Sequence, residues 1–243
     1  MTQYYLLVLI AIVAFLYASV GHGGASGYLA LMFLFGISPT LMKPSALILN
    51  IFVSSISFYM YYRHGYFKWR ILLPFILLSI PLSFIGARIH IDEHIYKIIL
   101  GICLIIATLR LLGVFGKFNF DNLREVPFIP AMLIGGVLGF VSGMIGIGGG
   151  ILLSPVLLLF RWANLKEAAA VSAAFIFVNS VAGIIGASTT GQVFSPDIIS
   201  WVAAGVVGGT IGAYYGSRIF NYSVLRYILS VVLIFASYKL FNI

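Results

Sequence analysis

Charge is what this chain has least of. Of 243 residues only 8% are Asp, Glu, Lys or Arg, against a typical quarter for a soluble domain, and just six are acidic. With 62% hydrophobic residues and a mean hydropathy of +1.12, that scarcity excludes an ordinary soluble fold and predicts an all-α polytopic membrane protein. Cysteine is scarcer still. The one residue, Cys103, rules out an intrachain disulfide or a cysteine-based metal site. The carboxylates Asp92, Glu93, Asp121, Glu125, Glu167 and Asp197 fall at segment ends or in connections, which argues against an embedded acidic proton relay or cation pump. The net charge of +8 would suggest a nucleic-acid partner in a soluble protein. Here the basic residues stand between apolar runs, where they set orientation, and no nucleic acid is expected. No Lys or Arg precedes the first apolar run, so no cleavable signal is expected.

What is there is organised as two halves. Gly, Pro and charge clusters cut the first into apolar segments 4–20, 24–35, 41–62, 69–87 and 95–112, and the second into 128–144, 149–160, 166–187, 198–217 and 223–240. The expected organisation is a first repeat over 1–113, a connection over 114–127 and a second repeat over 128–243, all within one membrane domain. Gly21-His22-Gly23-Gly24-Ala25 in the first half matches Gly146-Ile147-Gly148-Gly149-Gly150 in the second. Gly86-Ala87-Arg88-Ile89 matches Gly216-Ser217-Arg218-Ile219, and Gly65 matches Gly191. Asn50 and Asn179 both fall in third segments, though aligning them requires a gap.

Five segments per half predict inverted repeats. If the chain crosses at every segment, one side receives Arg63, Lys68, Arg70, Arg110, Lys117, Arg124, Arg161, Lys166, Arg218 and Arg226, and the other Lys43, Arg88, Lys97 and Lys239. Ten against four makes the first side the cytoplasm and places both termini outside it. The twelve-residue segment 24–35 would be about 18 Å long as a helix, short of a hydrocarbon core about 30 Å thick. Each first and second segment therefore reads as a broken helix or re-entrant hairpin, its glycine tip near the midplane; a short, tilted span is the alternative.

Matched broken segments in corresponding places point to a transporter's binding site. Glycine permits an unwound turn, and the helix restarting after it presents unpaired N–H groups and a positive dipole end, a ready anion site. The candidate substrate-binding residues are Gly21, His22, Gly23, Gly24, Ala25, Ser26, Asn50, Gly146, Gly148, Gly149, Gly150 and Asn179, with Ser19, Ser142 and Ser154 as further hydroxyls. His22, where the second half has Ile147, is a candidate proton or charge donor; the bland reading is a neutral histidine bonded to backbone. Arg88 and Arg218 read as helix-end anchors. Gly135/Gly139/Gly143 and Gly208/Gly212/Gly216 have the spacing of helix-packing ridges. His90 and His94 could share a helical face, but with too little around them to predict a metal.

The doubled tip, the third-segment asparagine and the duplicated halves resemble the TauE/SafE family of membrane transporters, over nearly the whole chain. Gly146-Ile147-Gly148-Gly149-Gly150 is the most specific part of the likeness, and the first copy departs from it at His22 and Ala25. The resemblance implies carriage of a small, often sulfur-containing anion such as sulfite or an organosulfonate. The reading is thus a secondary transporter in the cell membrane. Its expected partners are a small anion and the lipid bilayer, a homo-oligomer is allowed, and no cofactor is expected. The competing readings are a non-transporting membrane subunit and an intramembrane enzyme.

Overall fold

The computed structural model describes residues 2–89, 123–192 and 194–219, with isolated positions between 92 and 109. All of the second half's fifth segment, most of the first half's, most of the inter-repeat connection, Cys103 and His90 lie outside the described residues. Eight described helices carry the fold. They are α1 (Thr2–Ala18), α2 (Ala25–Leu34), α3 (Pro39–Arg63), α4 (Trp69–Arg88), α5 (Phe128–Ile145), α6 (Gly150–Leu159), α7 (Leu165–Ser188) and α8 (Ile198–Arg218).

Five of them, α3, α4, α5, α7 and α8, are long and apolar enough to cross a membrane. Leu77, Leu133, Val137, Ile199 and Val207 stand exposed on their outer faces, a surface suited to lipid rather than water. By contrast α2 and α6 have 10 residues each, roughly 15 Å of helix, and cannot span. Both lie inside the protein, which is where a helix start within the membrane must be placed.

Local signals set the boundaries. At α3, Pro39 occupies the first turn, where its missing N–H costs nothing. At α7 the Asn164 side chain accepts from Lys166 and Glu167 N–H, while the Glu167 carboxylate accepts from Asn164 N–H at 3.0 Å. After these two helices the chain turns at Gly65 and Gly191, both left-handed and in open space.

Glycine ridges fix how the halves meet. A Cβ at Gly135, Gly139 or Gly143 of α5 would overlap the backbone of Phe75, Ser79 or Ser83 of α4, respectively. At Gly208, Gly212 and Gly216 of α8 it would overlap Ala11, Phe15 and Ser19 of α1. Such close backbones gain dispersion and Cα–H···O contacts that any side chain would forfeit. Residue numbers rise together in both series, so α5 is parallel to α4 and α8 to α1. Gly205 and Gly209 likewise meet Leu49 and Val53 in order, making α3 parallel to α8. The Ser83 hydroxyl donates to Asn179 O and Gly186 meets Phe84, so α7 follows α4. Helices α1, α3 and α8 run one way; α4, α5 and α7 run the other.

Two large apolar cores and a small cluster at Tyr61, Ala169 and Ala170 result. One large core is built from α1, α2 and α3 with Trp201 and Ala213 of α8 and with Ile145, Ile147 and Ile151 from around the second tip; the other is built from α5, α6 and α7 with Ile71, Leu72 and Phe75 of α4. Each large core therefore joins helices of one half to the fourth helix of the other, and the second tip reaches into the first core. The third helices, α3 and α7, cross at the centre and are the most enclosed of the long helices.

The repeated Gly-x-Arg-Ile motif closes α4 and α8. Gly86 and Gly216 take the backbone contact, while the exposed Arg88 and Arg218 guanidiniums lie 5.5 and 4.6 Å from the ring centroids of Phe84 and Tyr214, one turn back.

Candidate functional site

The glycine tips follow one plan. Helix α1 ends through Gly21 at φ +75°, with His22 N–H donating to Tyr17 O at 2.9 Å; α5 ends through Gly146 at φ +88°, its N–H donating to Ser142 O at 2.8 Å. The outgoing helices start behind Gly24 (φ +98°) and Gly149 (φ +72°), neither of which supplies a side-chain cap. A β-branched residue at either position would face a forbidden backbone region and also strike the Tyr28 or Phe175 ring.

Asn50 joins the tips. Its Oδ1 accepts from Ala25 N–H, the first amide of α2, and its Nδ2 donates to Ile147 O in the other tip, both at 3.1 Å. Gly23 and Gly148 pack on opposite sides of the same pair, Asn50 and Ile176. Gly21 rests on Ala169, Gly146 on Lys43, and Gly150 on Ile176 and the Ser172 carbonyl.

A second bridge runs through His22. Its Nδ1 lies 2.9 Å from Val20 O, which can only accept, so in the neutral ring this nitrogen carries the hydrogen. Nε2 then accepts from the Ser154 hydroxyl of α6 at 3.0 Å, and Ser154 Oγ is 2.6 Å from Ser172 Oγ. A protonated ring would reverse the Ser154 hydrogen bond, for which Gly150 O at 3.3 Å is an alternative acceptor.

The structure brings Gly21, His22, Gly23, Gly24, Ala25, Asn50, Gly146, Gly148, Gly149 and Gly150 together in one buried cluster. Ser26 is turned into its own hairpin, 2.7 Å from the Tyr17 hydroxyl, and Ser19 bonds Leu16 O. Asn179 stands apart. Its Nδ2 donates to Phe175 O of its own helix at 2.8 Å. The register explains this: α3 starts at Pro39 and α7 at Leu165, and eleven residues on from each stand Asn50 and Ile176. Asn179 falls three positions later, beside the tips rather than between them.

Several buried polar atoms around the tips have no partner among the described residues: Tyr28 Oη, Ser142 Oγ, Ser180 Oγ and Asn179 Oδ1. Tyr28 lies against Gly24, Ser142 against Gly149 and Ser180 against Gly148. Buried hydroxyls left unsatisfied cost about 1–3 kcal/mol each; Ser45, Ser54, Ser57 and Ser79 Oγ and Gln192 Oε1 also lack a partner among the described residues, so such atoms are not confined to the tips. Sequence reading did not single out Tyr28, Ser172, Ser180 or Ile176; the common start of α3 and α7 was the signal that would have found Ile176. Lys43, which the sequence reading placed at the start of segment 41–62 and counted only for orientation, is buried within α3 against the second tip. The described residues hold no cluster of metal-ligating side chains.

A helical membrane protein with two matched broken hairpins meeting inside it has the architecture of a carrier. The family model for the sulfite exporter TauE/SafE family matches residues 6–240, and the chain belongs to that family. A probable membrane transporter protein of Sinorhizobium fredii is 38% identical over 232 residues, 94% of either chain. One of Bacillus subtilis is 25% identical over 217 residues, 82% of this chain and 79% of its own. One of Methanocaldococcus jannaschii is 29% identical over 150 residues, 57% and 55% of the two chains. No solved structure matches. The protein is an integral, multi-pass membrane transporter rather than an enzyme.

Proposed function

We propose that the chain carries a small oxyanion, of the sulfite or organosulfonate kind, across the cell membrane by alternating access at the two glycine tips. The observation that carries this reading is that Asn50 ties the buried start of α2, at Ala25 N–H, to the Ile147 carbonyl of the other tip, beside a second helix start behind Gly149 and three unpartnered hydroxyls. Backbone N–H groups and dipole ends favour negative charge, and the hydroxyls offer further donors.

The halves act as inverted repeats. The opposite directions of α1 and α5, of α3 and α7, and of α4 and α8 support this, as does the exchange of fourth helices between the cores. Rocking one core against the other would open the tips to each side in turn. The basic bias supports a cytoplasmic Gly65 and termini on the opposite side. His22, bonded to both hairpins, is the group through which a proton gradient acts on the tips.

The test is uptake by proteoliposomes of the purified chain, using sulfite, methanesulfonate, taurine and acetate, with a pH gradient imposed in either direction. Saturable movement of at least one oxyanion, absent from protein-free vesicles, is expected. Movement of only cations or neutral solutes would refute the reading.

A further inference from the structure

We infer that Lys43 is a specificity-determining residue, a buried cation that draws a singly charged oxyanion to the tips from the α3-start side of the membrane. The inference rests on the anion reading above and adds the charge of the substrate and the side from which it is steered.

Burial without a counter-charge supplies the first part. Lys43 is only 5% exposed although it stands in the second turn of a membrane-spanning helix. Its ammonium turns inward to donate to Ala87 O at 2.8 Å, instead of reaching along the helix toward water as a lysine near a helix end ordinarily does. That carbonyl is its one hydrogen-bonding partner among the described residues, whose only salt bridge, Lys68–Glu167, joins the start of α4 to the start of α7. A buried ammonium carrying three donors and no counter-ion is costly, and an anion would relieve it.

Position supplies the second part. Lys43 and Asn50 are seven residues apart on α3, two turns along one face and about 10 Å along the axis. Between them lies the second tip, with Lys43 Cγ 3.1 Å from where a Cβ on Gly146 would stand and Asn50 against Gly148. An anion passing between Lys43 and Asn50 thus stays beside the second tip throughout.

Symmetry supplies the third part. Four residues from the starts of α3 and α7 stand Lys43 and Ala169, packed against the equivalent glycines Gly146 and Gly21. The charge is present on one route to the tips and absent from its counterpart. With His22 neutral, Lys43 is the one cationic side chain among the described residues packed on the tips, which suits a monoanion.

The test uses methanesulfonate, a monoanion throughout the neutral pH range, with the full chain in proteoliposomes. Lys43→Gln keeps a donor for Ala87 O but removes the charge. It should raise the half-saturating concentration at least tenfold, while Lys43→Arg stays within threefold of wild type and both elute as wild type does. Half-saturation in Lys43→Gln within twofold of wild type would reduce Lys43 to a hydrogen-bonding strut. Independently of any variant, neutral methanesulfonamide should compete at less than a tenth of the potency of methanesulfonate. Equal competition would overturn the charge requirement even if Lys43→Gln did not fold. Transport of methanesulfonate by wild type with either of these failures would leave the anion reading standing and remove this inference. Wild type moving no anion of the panel would remove both.

Discussion

Asn50 and His22 occupy comparable places, each tying one tip to the other, but by different chemistry. The Asn50 amide meets one tip through its oxygen and the other through its nitrogen, so Asn50→Leu leaves Ala25 N–H and Ile147 O unmet at a cost of about 1–3 kcal/mol apiece. The variant should show a lowered unfolding temperature in detergent together with loss of transport; an unchanged melting curve would contradict the bridge. His22 is different because its ring can change charge without losing its partners, Val20 O and Ser154. His22→Gln should keep downhill transport within about threefold but abolish accumulation driven by a pH gradient, since glutamine can still hydrogen-bond but cannot take up a proton. Unchanged dependence on the gradient would leave His22 as a brace between hairpins. These roles were half legible in sequence. A histidine inside a glycine tip is visible as an oddity, and Asn50 as a polar residue in an apolar run. Which asparagine reaches the tips depends on helical register, and a three-residue shift in α7 turns Asn179 onto its own backbone instead.

At the scale of elements, the eight apolar runs that fall on described residues were legible to within one or two residues, because in a membrane the break in hydropathy and the end of a helix have the same cause. Segments 69–87 and 198–217 became α4, Trp69–Arg88, and α8, Ile198–Arg218. The glycine ridges were legible too, since close helix approach demands small residues at every fourth position. Their partners were not: nothing in the spacing of Gly135, Gly139 and Gly143 says that α4 is the neighbour. Gly139→Leu would drive a side chain into the Ser79 backbone and should destabilise the α4–α5 pair by about 1–3 kcal/mol or more. A markedly lower midpoint of thermal aggregation is expected, and wild-type behaviour would contradict the described contact. Lys43 escaped the sequence reading for a related reason. A lysine close to the start of a helix ordinarily extends to the interface, and only packing shows this one turned inward.

For the whole molecule, the proposed inversion makes equivalent residues sit on opposite faces of the membrane. Gly65 and Gly191 end corresponding helices in open turns where nothing lies within 4 Å of an added Cβ, so cysteine should be accommodated with only local strain at their positive φ. In a Cys103→Ala background, Gly191→Cys should react with an impermeant maleimide in intact cells and Gly65→Cys only after permeabilisation. Labelling of both from the same side would show that the halves are not inverted.

Central to the proposed transport is that the anion sits at the two helix starts, next to Ala25 and Gly150. Selective 15N labelling of alanine and glycine makes Ala25 and Gly150, the first residues of α2 and α6, directly observable by NMR in detergent. Titration with the anion that the proteoliposomes transport should shift both amide resonances saturably, with one dissociation constant shared by the two tips and matched by binding to the purified protein. Saturable binding that leaves the Ala25 and Gly150 amides unmoved would place the anion elsewhere and contradict the account.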